Sequence, residues 1–493
     1  MAELARDAVA QQVAAALGLN GHGSDIANTY DINDAAFTRT DLGMAKRLVA
    51  RHGHNLRFVH AWRKWLHWNG SRWTVDETGE AMRLAKETAR SLLNAALDRD
   101  DKPLGRHALA YHAAARFDAT LKLATSEPSI PVQLAELDAD DWMLNCQNGL
   151  FDLRTLTLRP HDRAALCTKI TAAPYLAEAR SPVWGQFLAD VADGDPDVAG
   201  FLQRAAGSSI TGCTRDEKLF FAYGPRWTGK TTFLEAIAAT LGSYATTADF
   251  STFLAHRDRS GSAPTPDIAR LRGARFVKSV EVGKAEGARL AEGLVKQLTG
   301  GDIIVARHLH KEPFEFKTTH HLWLGANDAP KISDDDDALK RRLLRVPFVH
   351  SFERDGEPPD PAIKAALTDP TQAGPAILRW LVVGCRDWKV EGLNPPGAVL
   401  HDTASYFDEN DPLREFLAAD CVTGPDYHQR AGELYGGYTA WAKRNGLRPQ
   451  EVLSNTAFGL KMRRRYEKRD HRTGAFYRGV ALRNAREGPD GDI

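Results

Sequence analysis

The string GPRWTGKT at 224–231 has the residue types and spacing needed to hold a polyphosphate: a glycine at each end, then a lysine and a hydroxyl side chain. Glycine lets the backbone turn its N–H groups toward an anion, and a helix starting there adds the positive end of its dipole. On this reading Gly224, Thr228, Gly229, Lys230, Thr231 and Thr232 bind ATP, with Lys230 on the β and γ phosphates and Thr231 on Mg²⁺. Hydrolysis needs further groups. Glu281, near the end of RFVKSVEV (275–282), offers a carboxylate to orient the metal and the attacking water, with Glu286 as the alternative. Asn327, in HLWLGAND (321–328), offers an amide to sense the terminal phosphate or its water. Arg341 and Arg342 supply charge of the kind that stabilises a transferred phosphoryl group, often from a neighbouring subunit. Each has a plainer reading: a strand-end glutamate, a turn asparagine, and an arginine pair balancing the Asp334–Asp337 run.

These groups need strand ends to stand on. KLFFAY leads into the glycine loop and KTTFLEAIAATLG leads out as a helix. Strands and helices then alternate to about residue 350, the pattern of a parallel α/β sheet. Upstream, residues 41–180 read as an α+β domain, with one hairpin about Asn69-Gly70 and another within GLFDLRTLTLRPHD (149–162). Residues 1–40 read as a flexible segment, 185–350 as the ATPase core, 351–424 as a helical extension, and 425–493 as a smaller tail domain.

Composition narrows the class. With 64 basic and 64 acidic residues the formal charge is zero, so nucleic-acid contact must be local. The five cysteines stand far apart without a C-x-x-C, which argues against a disulfide framework or a cysteine zinc module and fits a reducing cytoplasm. No run of 18 apolar residues is present, so no membrane span is expected.

Taken together, VKQLTGGDIIVARHLHKEPFEFKTTHHLWLGANDAPKI (295–332), RRLLRVPF (341–348), NGLFDLRT (148–155) and ILRWLVVGCRDW (377–388) resemble the helicase part of the phage, plasmid and poxvirus primase-helicases, within superfamily 3. The resemblance spans most of residues 40–420. It implies an AAA+-type P-loop core, a homo-oligomeric ring, expected to be a hexamer, that moves on single-stranded DNA, usually 3′ to 5′, and arginine fingers acting across subunits. It assigns Gly224, Gly229, Lys230 and Thr231 to the phosphate loop, Glu281 to the acidic motif, Asn327 to the sensor and Arg342 (or Arg341) to the finger. The setting is a phage, prophage, satellite or plasmid in a bacterial cytoplasm. The family's primase domain would precede residue 41, so primer synthesis by this chain is not expected. Three departures stand out: Arg226, Trp227 and Thr228 occupy a loop usually richer in glycine, Lys278 sits in a strand position usually apolar, and Leu156 replaces a turn glycine.

Two regions suit nucleic acid. IIVARHL and FEF flank HKEP (310–313) as a hairpin bearing Arg307, His310 and Lys311, and the resemblance puts such a hairpin in the ring channel, on single-stranded DNA. From Lys461 to Arg478 eight basic residues, Arg463, Arg464, Arg465 and Lys468 among them, face two acidic ones. Two helices precede a final strand there, the order of a winged helix that would bind duplex DNA. Trp62, Trp65, Trp68 and Trp73, interleaved with Arg63, Lys64 and Arg72, read as the core of a small β unit, with base stacking as the alternative. Two other functions compete with a helicase: an origin-binding initiator that melts DNA, and a ring ATPase switched by nucleotide in defence.

Overall fold

The computed structural model describes residues 37–255, 265–281, 288–307, 312–333, 336–353, 356–411, 413–447, 449, 452–471 and 474–483. Glu286, His310 and Lys311 and nearly all of the 1–40 segment lie outside these residues.

The centre is a five-stranded parallel sheet built from β7 (Leu219–Tyr223), β8 (Ala245–Thr247), β9 (Phe276–Val280), β12 (His321–Ala326) and β13 (Leu343–Pro347), in the spatial order β13-β7-β12-β9-β8. Both faces are covered, which is why these strands read as nearly unbroken apolar runs. Alternate residues of β7 enter different cores. Phe220 and Ala222 join Phe233, Trp323 and Ile377 on one side, while Leu219 and Phe221 join Leu322, Leu324 and Tyr406 on the other. Phe220 stacks on Trp323 with ring centroids 4.5 Å apart. Helix Pro196–Ser208 meets helix Gly374–Glu391 at Gly207 and Gly384, where a Cβ on Gly207 would come 2.2 Å from the Gly384 backbone.

The N-terminal region contains two small antiparallel sheets. β1 (Leu56–Val59), β2 (Lys64–Trp68) and β3 (Trp73–Val75) form the first, with the expected turn at Asn69-Gly70 joining β2 to β3. Helices Asp41–His52 and Glu80–Asp98 pack beside it through Met44, Leu48, Leu84 and Leu92. The second sheet, β4 (Met143–Cys146), β5 (Gly149–Asp152) and β6 (Thr157–Arg159), belongs to the core of the central parallel sheet: Leu144, Cys146 and Phe151 share one apolar cluster with Phe220 and Trp323. Buried Arg275 fastens this junction by donating to the carbonyls of Ile210 (2.9 Å), Asp140 (3.0 Å) and Met143 (2.8 Å). Leu156 takes the turn glycine's part at φ +58°, and its N–H donates to Asp152 at 2.8 Å.

β10 (Ile303–Ala306) and β11 (Phe314–Lys317) form the antiparallel hairpin read from the sequence, with Ala306 opposite Phe314. Ile304 and Ala306 are buried on one face while Ile303 and Val305 are exposed on the other. At the C-terminus, helix Arg414–Asp420, β14 (Cys421–Arg430), helices Ala431–Arg444 and Asn455–Arg465, β15 (Glu467–His471) and β16 (Gly474–Leu482) follow in the order of a winged helix, with sheet order β14-β16-β15. Its core draws in Leu413 and Phe416, upstream of the boundary drawn at residue 425.

Candidate nucleotide site and nucleic-acid contacts

β7 ends at Tyr223, and the loop 224–229 connects it to helix Lys230–Leu241. Gly224 has φ +155°, and a Cβ there would lie 2.0 Å from the Phe348 carbonyl oxygen. Gly229 has φ +84°, with Phe352, Val191 and Phe187 within 3.1 Å of where a Cβ would stand. Only glycine fits either position. Between them Trp227 adopts φ +63° although it is not glycine, a costly conformation that the Phe352 N–H pins by donating to the Trp227 carbonyl at 2.9 Å. The two glycines do what the sequence requires of them, and Arg226, Trp227 and Thr228 are accommodated between.

Lys230 is buried, and its Nζ donates to the Gly224 carbonyl (2.7 Å), the Pro225 carbonyl (2.5 Å) and Thr228 Oγ1 (3.1 Å). Thr228 is itself buried and donates to Pro225 at 3.0 Å. Burial alone lowers the Lys230 pKa, to about 8. A buried ammonium held by neutral loop acceptors fits an anion such as a nucleotide phosphate. Thr231 and Thr232, half-buried, occupy the first turn of the same helix.

Along the same edge of the sheet, Asn327 follows β12 and is exposed, and Glu281 follows β9. Glu281 donates its N–H to the Gly325 carbonyl at 2.9 Å, and its carboxylate accepts from the Asp328 N–H at 3.5 Å. Because β12 lies between β7 and β9, the loop, Asn327 and Glu281 stand on three neighbouring strand ends, spread over roughly 10 Å. Lys278, at the usually apolar position, pairs with Glu235 at 3.9 Å, and Glu235 also pairs with Lys364 at 2.7 Å.

The arginine pair sits at the other end. It closes helix Asp337–Arg342, directly before β13, and Leu343 is level with Leu219 at the start of β7. Arg342 pairs with Glu217 at 2.7 Å and donates to the Ala338 carbonyl at 3.2 Å. The Arg341 side chain is exposed, and its backbone carbonyl accepts from Lys218. The length of β7, about 16 Å at 3.3 Å per residue, separates this pair from the loop of the same chain.

Arg345, unmarked by any sequence motif, is buried within β13. It pairs with Asp402 (2.6 Å) and Glu409 (3.2 Å), and its guanidinium lies 4.6 Å from the Tyr223 ring and 4.8 Å from that of Tyr406. It thus ties the strand residue before the phosphate loop to helix Gly397–Glu409.

Of the nucleic-acid candidates, Arg307 directly follows β10, its N–H donating to Thr265 Oγ1 at 3.2 Å. Arg463 and Arg464 are exposed on helix Asn455–Arg465, and Arg463 is hydrogen-bonded to Tyr477. Arg465 pairs with Asp411 at 2.6 Å, which joins that helix to the segment entering the domain. Lys468 lies 3.7 Å from Asp470.

Fold and loop together define a P-loop-type α/β protein with an N-terminal α+β part. Residues 45–193 match the family described as D5 N terminal like. The chain is 27% identical over 335 residues to a provisionally named helicase of Acanthamoeba polyphaga mimivirus, a match covering 64% of this chain and 34% of the relative. It is 28% identical over 311 residues to another provisionally named helicase, of Frog virus 3, covering 60% of this chain and 30% of that protein. A third such relative, from Invertebrate iridescent virus 3, is 25% identical over 233 residues, covering 44% of this chain and 24% of its own length. The chain therefore spans about a third or less of the curated relatives it matches. The solved apo structure of the NrS-1 C-terminal region shares 10% identity at a TM-score of 0.47, covering 90% of this chain and 99% of that one. The chain is thus similar to the D5 N terminal like family over residues 45–193 and, over 335 residues, to a provisionally named viral helicase. Among the described residues no helix is long and apolar enough to cross a membrane.

Proposed function

We propose that this chain is a nucleoside-triphosphate-driven DNA helicase motor that works as a ring on single-stranded DNA. The observation that carries the reading is the Lys230 ammonium, buried in a glycine-bounded loop at the end of a central parallel strand, with Asn327 and Glu281 on the neighbouring strand ends. The substrate would be Mg²⁺–ATP, whose metal would offset negative charge on the phosphates during cleavage of the phosphoanhydride. Lys230 then exchanges loop carbonyls for phosphate oxygens. Thr231 and Glu281 would hold the metal, Glu281 would orient the attacking water, and Asn327 would sense the terminal phosphate. An arginine from a neighbouring protomer completes the site, because the chain's own pair stands a strand length away. The β10–β11 hairpin follows the strand through the pore, in the 3′ to 5′ direction that the resemblance implies.

The winged helix supports a duplex contact alongside. Helix Asn455–Arg465 exposes Asn455, Thr456 and Leu460 together with Arg463 and Arg464, a mixed face suited to the major groove and to origin recognition. Strand displacement on tailed duplexes of both polarities, with ATP and with a non-hydrolysable analogue, tests the motor. Displacement of one polarity, dependent on hydrolysis and lost in Lys230→Ala, is expected. ATP hydrolysis without displacement on either tail would leave only the ATPase.

A further inference from the structure

Four tryptophans lie between residues 62 and 73, and the structure separates their roles. Trp73 is 1% exposed and Trp65 and Trp68 are half-buried, but Trp62 is 38% exposed. It stands in the turn between β1 and β2, where His60, Ala61, Arg63 and Lys64 are exposed as well. The turn is held in place. The His60 Nε2 lies 3.2 Å from the Thr125 carbonyl, the His60 ring meets Phe58 edge-on at 4.9 Å, and the Trp62 and Arg63 N–H groups donate to Val59 and His60 at 3.1 Å. Arg63 adopts φ +55°, a left-handed conformation that an arginine takes only where its surroundings impose it.

Arg272 bridges this turn and the β10–β11 hairpin. The Arg272 guanidinium lies 5.6 Å from the Trp62 ring centroid and 5.8 Å from that of Phe314, the residue facing Ala306 at the turn end of the hairpin. Arg272 covers one side of the Trp62 ring, yet more than a third of the residue stays exposed, with adjacent cations on a fixed turn. An aromatic face beside a cationic track is what non-specific single-strand binding uses, because every base has a π face and every nucleotide a phosphate.

We propose that the turn at 60–64 is a second single-stranded DNA contact, where one base stacks on Trp62 while Arg63 and Lys64 hold the flanking phosphates. The inference rests on the proposed motor only in requiring that a single strand run along the β10–β11 hairpin. Arg272 links the two contacts, so a strand leaving the hairpin meets Trp62 next. No base edge is read, and affinity is insensitive to sequence.

The test uses the full chain and a fluorescein-labelled oligothymidylate, with anisotropy measured across a salt series and a non-hydrolysable ATP analogue present. Trp62→Ala should weaken binding about tenfold, within the range of a single base–aromatic stack, and Trp62→Tyr should recover most of the loss. Arg63→Gln with Lys64→Gln should lower the slope of log K against log salt by about 1.4, from roughly 0.7 per phosphate contact on single strands. An unchanged thermal midpoint in each variant shows that the fold is intact. If wild type binds and Trp62→Ala binds equally well with the same salt slope, the turn serves something else, such as a protein partner, and the proposal is overturned while the motor stands. If Tyr is as weak as Ala, stacking is not the interaction. If wild type binds no oligothymidylate at all, the motor reading fails, and this contact with it.

Discussion

The two ends of the central sheet are built differently. At the C-terminal end, the backbone is shaped first: Gly224 and Gly229 adopt positive φ at positions no Cβ could occupy, and Lys230 is buried among loop carbonyls. At the N-terminal end the side chains matter: Arg341 is exposed, while beside it Arg342 is committed to Glu217. One end is a cradle for anions, and the other presents a cation that its own cradle cannot use. On the proposed reading a complete hydrolytic site would draw on two chains, and of two adjacent arginines the one with no ion pair among the described residues is better placed to cross between them. The resemblance by itself favoured Arg342. Its pairing with Glu217 leads us to propose Arg341 instead.

The largest expected effect lies at the exposed end. Arg341→Ala should lower kcat by about 10³- to 10⁵-fold, the span of an arginine finger, with nucleotide binding retained. Steady-state hydrolysis and fluorescent-nucleotide titration separate the two quantities. Lys230→Ala should cost roughly 10²–10³-fold in kcat/KM and weaken nucleotide binding as well. If Lys230→Ala keeps full turnover, the cradle has been misassigned.

A smaller effect follows from the Lys230 pKa, lowered to about 8 by burial. Below that pH the ammonium is charged and holds phosphate; above it the charge is lost. Nucleotide affinity should therefore fall about fivefold between pH 8 and pH 9, and Lys230→Ala should be flat over that interval. For folding the sign is opposite. The unfolded chain binds the proton more tightly, so this group's contribution to stability rises with pH from about 8 toward the ordinary lysine value.

The smallest effect is expected for Arg342→Ala, which removes a partly exposed ion pair worth about 1 kcal/mol or less and should leave hydrolysis within roughly fivefold of wild type. Chemical denaturation and an ATPase assay check both. A ranking with Arg342→Ala far below Arg341→Ala in activity would reverse the comparison and return the finger to Arg342.

Much of this architecture was legible in the sequence. Buried parallel strands announce themselves as apolar runs, Asn69-Gly70 marks a hairpin, and GPRWTGKT lies between a strand and a helix. What escaped notice has physical causes. β14 contains Gly424, Pro425 and Asp426, poor strand formers, and is tolerated as an edge strand whose register slips between Thr423 and His428. Arg345 disappears into an apolar string because its partners, Asp402 and Glu409, lie on a distant helix. The β4–β6 sheet reads as part of the N-terminal domain, yet its apolar face is buried in the core of the central parallel sheet. The tryptophan cluster could not be divided by pattern alone, since one three-stranded sheet and its turns carry both a core tryptophan and an exposed one.

The most direct measurement mixes two inactive variants. Lys230→Ala protomers keep an intact Arg341, and Arg341→Ala protomers keep an intact cradle. If a site is completed by the neighbouring chain, co-assembled mixtures should hydrolyse ATP well above the sum of the two variants alone, with a maximum near equal proportions. Activity that stays at that sum for every mixing ratio, while the two variants are shown to associate, would contradict a site shared between protomers.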